Sequence, residues 1–142
     1  RTRTEESLLD HLCVSVSDLA RSRRFYEAAL KPLGYRLVSE IAGAVGFGVA
    51  EGSGQSPDPG GDFWIAEETP RPPLPHFAFS AASREMVDRF FAAALAAGGR
   101  DNGPPDLRPR YHDDYYAAFI LDPDGYNLEA VCHRPAVGAA AP

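Results

Sequence analysis

Two histidines and one glutamate are the side chains of this chain best suited to metal chemistry. His11 and His76 are 65 residues apart (76 − 11 = 65), and each opens an apolar run, HLCVSVS and HFAFSAA, while Glu129 lies in the later run NLEAVC. Two neutral imidazoles and a carboxylate on one face could hold Fe(II), Mn(II), Ni(II) or Zn(II) with positions open for substrate oxygens. On the alternative interpretation, the histidines are satisfied polar residues at strand starts and Glu129 pairs with an arginine.

The spacing of the histidines is part of a repeat. Asp18 and Ser83 stand where a helix N-cap is expected, Gly34 and Gly99 stand at the helix exits, and each pair is again 65 residues apart. A repeat of this length suits a duplicated α+β half-domain. The sequence therefore predicts one domain over 8–133, with modules 8–68 and 75–133 and flexible termini at 1–7 and 134–142.

Each module is predicted to have the order βαβββ, with its helix packed on one face of the strands. Helices are expected from Asp18 to about residue 31 and from Ser83 to about residue 97, since both capping residues precede amphipathic runs. The segment 101–110 (DNGPPDLRPR) is expected to weaken or replace a strand. Predicted strands are 9–16, 35–40, 44–50, 62–67, 75–81, 115–121 and 126–132.

The period of two along each strand places the candidate ligands together. In the first strand Leu12, Val14 and Val16 form the apolar set, which leaves His11 and Cys13 for the other face. The same alternation places four more side chains on the face away from the helices, namely His76, Asn127, Glu129 and Trp64. We therefore expect His11, His76 and Glu129 to share one open face. Cys13 and Cys132 are interpreted as free, buried thiols on opposite faces of the strands.

Several further residues are candidates for contact with a ligand. His112 lies in RYHDDYY, which leads into a predicted hairpin strand, and it could act as a general acid or base. A solvent-exposed loop histidine is the alternative. Trp64, Tyr115 and Asn127 are the candidate ligand-binding side chains, with core or interface packing as the other interpretation of the aromatic residues. His133 is interpreted as structural or exposed.

Composition excludes several classes of partner. The 142 residues carry a net charge of −6 and one lysine, which argues against binding to nucleic acids or anionic membranes. No apolar run approaches the roughly 18 residues that span a bilayer. No signal peptide is visible, and two cysteines make no disulfide framework. We expect a cytoplasmic protein that acts on a small molecule.

Three segments, DHLCVSVSDLARSRRFYEAALKPLGY, PHFAFSA and YYAAFILDPDGYNLEAVCH, together resemble the vicinal oxygen chelate superfamily. This superfamily groups glyoxalase I, bleomycin-resistance proteins, fosfomycin-resistance enzymes and extradiol dioxygenases. The resemblance implies a cup-shaped mixed sheet with the helices on its outer face, a divalent metal inside the cup, and a homodimer whose modules close within one chain or between chains. By position the metal ligands fall on His11, His76 and Glu129, and the fourth family position falls near Trp64.

The resemblance implies a metal-dependent small-molecule enzyme that chelates vicinal oxygens of its substrate, either a lyase or isomerase or a dioxygenase. The tryptophan at the fourth position argues against isomerisation of a glutathione hemithioacetal. The alternative is a metal-free binding protein that sequesters an antibiotic or aromatic metabolite in the cup. Thiol transfer to an epoxide antibiotic ranks last, because no phosphonate-binding basic cluster is evident.

Overall fold

The computed structural model describes residues 9–52 and 54–136. The predicted βαβββ order occurs in both halves, and the ends of the predicted elements move by three residues at most. In chain order the elements are β1 (Leu12–Val16), α1 (Leu19–Leu30), a 3-10 turn (Lys31–Leu33), β2 (Tyr35–Ile41), β3 (Ala44–Val49), β4 (Phe63–Glu67), β5 (Phe77–Ser80), α2 (Arg84–Ala96), β6 (Arg100–Asp101), β7 (Asp106–Leu107), β8 (Tyr116–Leu121) and β9 (Asn127–Cys132).

The strands form two mixed sheets that do not close into a barrel. The first has the order β1-β4-β3-β2, and the second has the order β5-β9-β8-β6, with β7 also paired to β8. In each sheet the first strand of the module lies at an edge and runs parallel to the last, β1 beside β4 and β5 beside β9. Equivalent positions of the two halves therefore occupy equivalent places in the two sheets.

Both helices begin where the sequence predicts. The Asp18 side chain accepts a hydrogen bond from the backbone N–H of Arg21, and Ser83 accepts one from Met86. These bonds satisfy N–H groups that have no partner within the helix. Gly34, at φ 89°, ends the 3-10 turn after α1 in a left-handed conformation that suits glycine.

The apolar faces of the two sheets share one core. The ring of Phe63 in β4 lies 5.4 Å from that of Phe77 and 5.1 Å from that of Phe79, both in β5. Helices α1 and α2 pack against the same core and against each other. The predicted helix-facing residues Val14 and Val16 are buried, which confirms the alternation for β1.

The turn between β8 and β9 also joins the two halves of the chain. Asp122, which is 2% exposed, accepts a hydrogen bond of 2.5 Å from the Tyr26 hydroxyl of α1. Asp124 accepts hydrogen bonds from the Ser17 hydroxyl and from Arg21, and the Tyr126 hydroxyl donates to the Ser15 carbonyl. Burial raises the pKa of Asp122, and the hydrogen bond from Tyr26 offsets part of that rise. This turn thus sets the position of the second sheet relative to the first.

One prediction about the cysteines is wrong. Cys132 is buried as expected, but Cys13 is exposed, and both thiols are free. The reason is that Cys13 points away from the helices on an edge strand, where no other described element covers it. Partial burial and the nearby charge of Glu68 still raise the pKa of the Cys13 thiol.

Residues 100–107 form two short strands, β6 and β7, in place of one long one. The prolines and glycine between them interrupt the pairing with β8, as the composition predicts. None of the described helices is long and apolar enough to cross a membrane.

Candidate functional site

The centre of the site is a contact between His76 and Glu129. Glu129 lies in β9, in the middle of the second sheet, with Ala78 of β5 and Phe119 of β8 as its pairing neighbours. His76 immediately precedes β5, and its Nε2 lies 2.8 Å from Oε1 of Glu129. The Glu129 side chain is 3% exposed and the His76 side chain is 44% exposed. The site thus combines a buried carboxylate with an imidazole that solvent can reach.

Hydrogen bonding at His76 determines which of its nitrogens carries a hydrogen. Its Nδ1 lies 2.7 Å from the backbone carbonyl of Asn127. A carbonyl oxygen only accepts, so Nδ1 carries the hydrogen and donates it. In the neutral ring Nε2 then has a lone pair and no hydrogen, and it faces a carboxylate oxygen. Two such acceptors repel each other at 2.8 Å. The contact therefore requires a hydrogen between Nε2 and Oε1, or a cation that both atoms bind.

Tyr115 holds the other oxygen of Glu129. Its hydroxyl donates a hydrogen bond of 2.5 Å to Oε2. Burial is the main reason that the pKa of Tyr115 is raised, and the bond to Glu129 raises it further. The phenol therefore keeps its hydrogen at neutral pH and fixes the direction in which Oε1 points.

A group of aromatic rings continues from Tyr115 to the end of the sheet. The ring of Tyr115 lies 5.2 Å from that of His133 and 5.4 Å from that of His112. His112 Nε2 and His133 Nδ1 are 2.8 Å apart, and the backbone N–H of Asp114 donates to His112 Nδ1. Because His112 Nδ1 accepts, Nε2 of the neutral ring carries the hydrogen and donates it to His133. The exposed loop histidine is thus held in one tautomer.

Phe119 and Arg108 extend the site beyond His76. The ring of Phe119 lies 6.0 Å from the His76 ring, and the guanidinium carbon of Arg108 lies 5.1 Å above the Phe119 ring. Arg108 does not stand out in the sequence, because the segment 101–110 has no periodicity that would assign it to a face. Its backbone hydrogen bond to the Tyr115 carbonyl, of 2.7 Å, aligns it with β8 and places it on this face.

Asn127 makes two separate contacts at the site. Its side chain is a predicted contact for a ligand. In the structure the Asn127 side-chain oxygen accepts a hydrogen bond of 3.1 Å from Asn102. It is the backbone carbonyl of Asn127 that orients His76. The effect on the site is therefore carried by the main chain.

His11 and Trp64 lie on the first sheet. His11 precedes the edge strand β1 and is 2.7 Å from the carboxylate of its neighbour Asp10, with both side chains more than half exposed. Trp64 is half-buried, its ring lies against Gly46, and its indole N–H donates to the Gly61 carbonyl. Across residues 9–52 and 54–136 of one chain, no group of three or more His, Cys, Asp or Glu side chains is arranged so that it could hold a metal ion. The structure thus brings His76, Glu129 and Tyr115 together and leaves His11 apart.

Comparisons with known proteins agree with this architecture. A family model described as the Glyoxalase/Bleomycin resistance protein/Dioxygenase superfamily matches residues 8–130. A solved glyoxalase/bleomycin resistance protein from Albidiferax ferrireducens is 32% identical, with 91% of this chain and 100% of that chain covered and a TM-score of 0.72. Among curated protein sequences, none matches this chain.

More distant solved structures share the fold. A family enzyme from Burkholderia phytofirmans is 18% identical, with 89% of this chain and 98% of that chain covered and a TM-score of 0.64. The fosfomycin resistance protein FosX from Listeria monocytogenes, a complex with Mn(II) and a dihydroxypropylphosphonic acid, is 19% identical, with 89% and 90% covered and a TM-score of 0.63. With the match over 8–130, the chain belongs to the Glyoxalase/Bleomycin resistance protein/Dioxygenase superfamily.

Proposed function

We propose that this protein is a metal-dependent enzyme that acts on a small molecule with vicinal oxygens. The contact between His76 and Glu129 carries the proposal, because two acceptor atoms 2.8 Å apart need a proton or a metal cation. His76 Nε2 and Glu129 Oε1 are the two proposed ligands from this sheet, and His11 is the third. Fe(II), Mn(II), Ni(II) and Zn(II) all suit two imidazoles and one carboxylate.

The residues behind the two ligands support a metal at this point. The Asn127 carbonyl accepts from Nδ1 of His76 and so directs the Nε2 lone pair toward Glu129. Tyr115 fixes Oε2 of Glu129 by the opposite kind of contact, because its hydroxyl donates to that oxygen. Hydrogen bonds of both kinds fix ligand orientation in metal sites, and the bond that His76 donates also makes its imidazole more basic.

We propose further that His11 reaches the site from a second copy of the chain, in a homodimer. His11 is exposed beside edge strand β1 of the first sheet, whereas the pair lies on the second sheet. Edge strands offer unpaired backbone groups to a second chain. A mixed dimer of His11→Ala and His76→Ala chains, obtained by co-expression, tests this arrangement. One of its two sites should be intact, although a dimer of either variant alone has no intact site. Recovery of no metal in the mixed dimer would contradict sharing between chains.

A bound divalent cation would supply Lewis-acid chemistry, polarising a substrate carbonyl or holding two adjacent substrate oxygens. The chain itself would orient the substrate and move protons. His112 is the proposed general acid or base, because its Nε2 carries a hydrogen at the rim of the site and its ring contacts Tyr115. The reaction class we propose is a lyase or isomerase reaction, or a dioxygenation.

The metal hypothesis is tested by elemental analysis of protein purified without chelator. We expect about one metal per site in the wild type and almost none in His76→Ala or Glu129→Gln. His133→Gln is the matched control, since it removes an imidazole outside the proposed ligand set, and its metal content should equal that of the wild type. Metal content that neither ligand substitution lowers would exclude the proposal.

A metal-free binding protein that sequesters an antibiotic or aromatic metabolite is the second candidate. The observation in its favour is Trp64, half-buried on the open side of its strand and held by the bond from its indole N–H to the Gly61 carbonyl. Such a fixed ring is a suitable surface for a flat ligand. Because Trp64 is the only tryptophan, its fluorescence reports binding directly. Quenching by a ligand that is recovered unchanged, in protein with no metal, would favour this candidate.

A further inference from the structure

Arg108 is a cation on the site face that has no acidic partner. Its Nη2 donates to two backbone carbonyls, at 2.6 Å to Pro104 and 3.4 Å to Ala117. Its Nε is buried and has no hydrogen-bond partner. Among the described residues, no carboxylate lies within ion-pair distance of it, whereas Arg21 and Arg84 are paired with Asp124 and Asp114. Nη1 is not buried and makes no hydrogen bond within the part of the chain that the structure describes, so its two hydrogens are available to a ligand.

The surroundings of Arg108 place that capacity beside the proposed reaction centre. Its guanidinium lies on one side of Phe119, whose ring also neighbours His76. Phe119 is in turn the pairing neighbour of Glu129. One small molecule that lies along Phe119 can therefore contact both the His76–Glu129 pair and the Arg108 guanidinium.

We propose that Arg108 is the specificity-determining residue for the substrate, which carries a carboxylate or similar oxyanion next to its vicinal oxygens. The two hydrogens of Nη1 can bond to the oxygens of such a group, and charge-assisted bonds of this kind are stronger than those to neutral acceptors. The contact with Phe119 and the two carbonyl bonds hold the guanidinium in place before the ligand arrives, which lowers the entropic cost of binding. The inference rests on the proposed function for the position of the vicinal oxygens.

A purely structural role for Arg108 predicts a different outcome. Its bonds to Pro104 and Ala117 could serve only to fasten the segment between β6 and β8. In that case its loss would lower thermal stability and weaken all ligands equally. Binding of an anion predicts instead that only the charged ligands lose affinity.

The test compares pairs of small oxygen chelators that differ only in charge. The probes are 3,4-dihydroxybenzoate with its methyl ester, and lactate with lactamide, titrated by calorimetry into the wild type and into Arg108→Gln. We expect at least one acid to bind the wild type about tenfold more tightly than its neutral partner, and Arg108→Gln to abolish that preference. Arg84→Gln is the matched control, because Arg84 also lies over an aromatic ring, that of Tyr116, but packs on the helix side. It should retain the preference.

Every titration is repeated after metal removal, so that failure of the metal proposal can be distinguished from failure of the proposal for Arg108. A charge preference that survives without metal supports the role of Arg108 even if the metal hypothesis fails. Equal affinities within each pair, no binding of either acid up to millimolar concentrations, or an equal loss for acids and neutral partners in Arg108→Gln would overturn the inference. If Arg108→Gln proves unstable, Arg108→Lys takes its place. This variant keeps the charge and should keep part of the preference.

Discussion

Tyr115 donates its phenol hydrogen to Oε2 of Glu129, while the other oxygen of that carboxylate contacts His76. The two carboxylate oxygens therefore have separate tasks. Oε2 is fastened to the protein, and Oε1 faces the exposed imidazole. A buried carboxylate that is fixed on one side only is well placed to exchange a proton for a metal on the other.

Tyr115→Phe should weaken the site without removing a ligand. The change leaves a buried carboxylate oxygen without its donor, which costs about 1–3 kcal/mol of stability. Loss of such a supporting hydrogen bond lowers metal affinity roughly 10- to 100-fold. Metal titration and thermal unfolding measure the two effects. Tyr111→Phe, a change in a neighbouring exposed tyrosine, should alter neither. Unchanged metal affinity in Tyr115→Phe would contradict the supporting role.

Metal binding should release a proton from the pair. The metal-free contact between His76 Nε2 and Glu129 Oε1 needs a hydrogen that the metal displaces. Calorimetry in buffers of different ionisation enthalpy counts the released protons. Metal binding that releases no proton would exclude the shared hydrogen.

His112 should be the Nε2–H tautomer when neutral. The Asp114 N–H occupies its Nδ1, and His133 accepts from its Nε2. Long-range ¹⁵N–¹H correlation spectra distinguish the two tautomers directly. His133→Ala should leave the tautomer of His112 unchanged, because the Asp114 bond remains, while the hydrogen on Nε2 becomes free to exchange faster. A signal typical of the Nδ1–H form would contradict the proposed donor role.

Replacement of Asp122 by asparagine should change how stability depends on pH. Burial raises the pKa of Asp122 in the folded protein, so folding favours the protonated acid. Its contribution to stability is therefore full below the unfolded pKa, near 3.9, and is lost as pH rises through the higher folded value. As the pH rises from the unfolded to the folded pKa, the wild type should therefore lose unfolding free energy relative to Asp122→Asn. Urea unfolding at a series of pH values measures this difference, with the exposed Asp113→Asn as the control substitution.

The alternation of side chains was sufficient to place two of the three predicted ligands. His76 and Glu129 share a face because β5 and β9 are adjacent parallel strands with Ala78 opposite Glu129, which strand parity and the repeat both indicate. The place of His11 does not follow from parity, because it depends on how two sheets or two chains come together. The metal role of all three residues stays a prediction.

Other features escaped sequence reasoning for identifiable reasons. Alternation sorts side chains between faces but does not show which face is covered, so Cys13 was expected to be buried and Glu129 was expected on an open surface. Glu129 is buried, and Tyr115, which precedes β8, bonds to its carboxylate. Arg108 escaped selection because DNGPPDLRPR has no regular period, and only its pairing with Tyr115 shows which way it faces.

The bond between Tyr26 and Asp122 has a consequence for how the duplicated architecture can be divided. A fragment that ends in the proline-rich connector 69–75 would separate the phenol from the carboxylate and split the aromatic cluster of Phe63, Phe77 and Phe79. Neither piece would then retain a complete interior, despite the internal symmetry of the polypeptide. The duplication has thus produced two mutually dependent parts, which should regain native structure only when both are mixed.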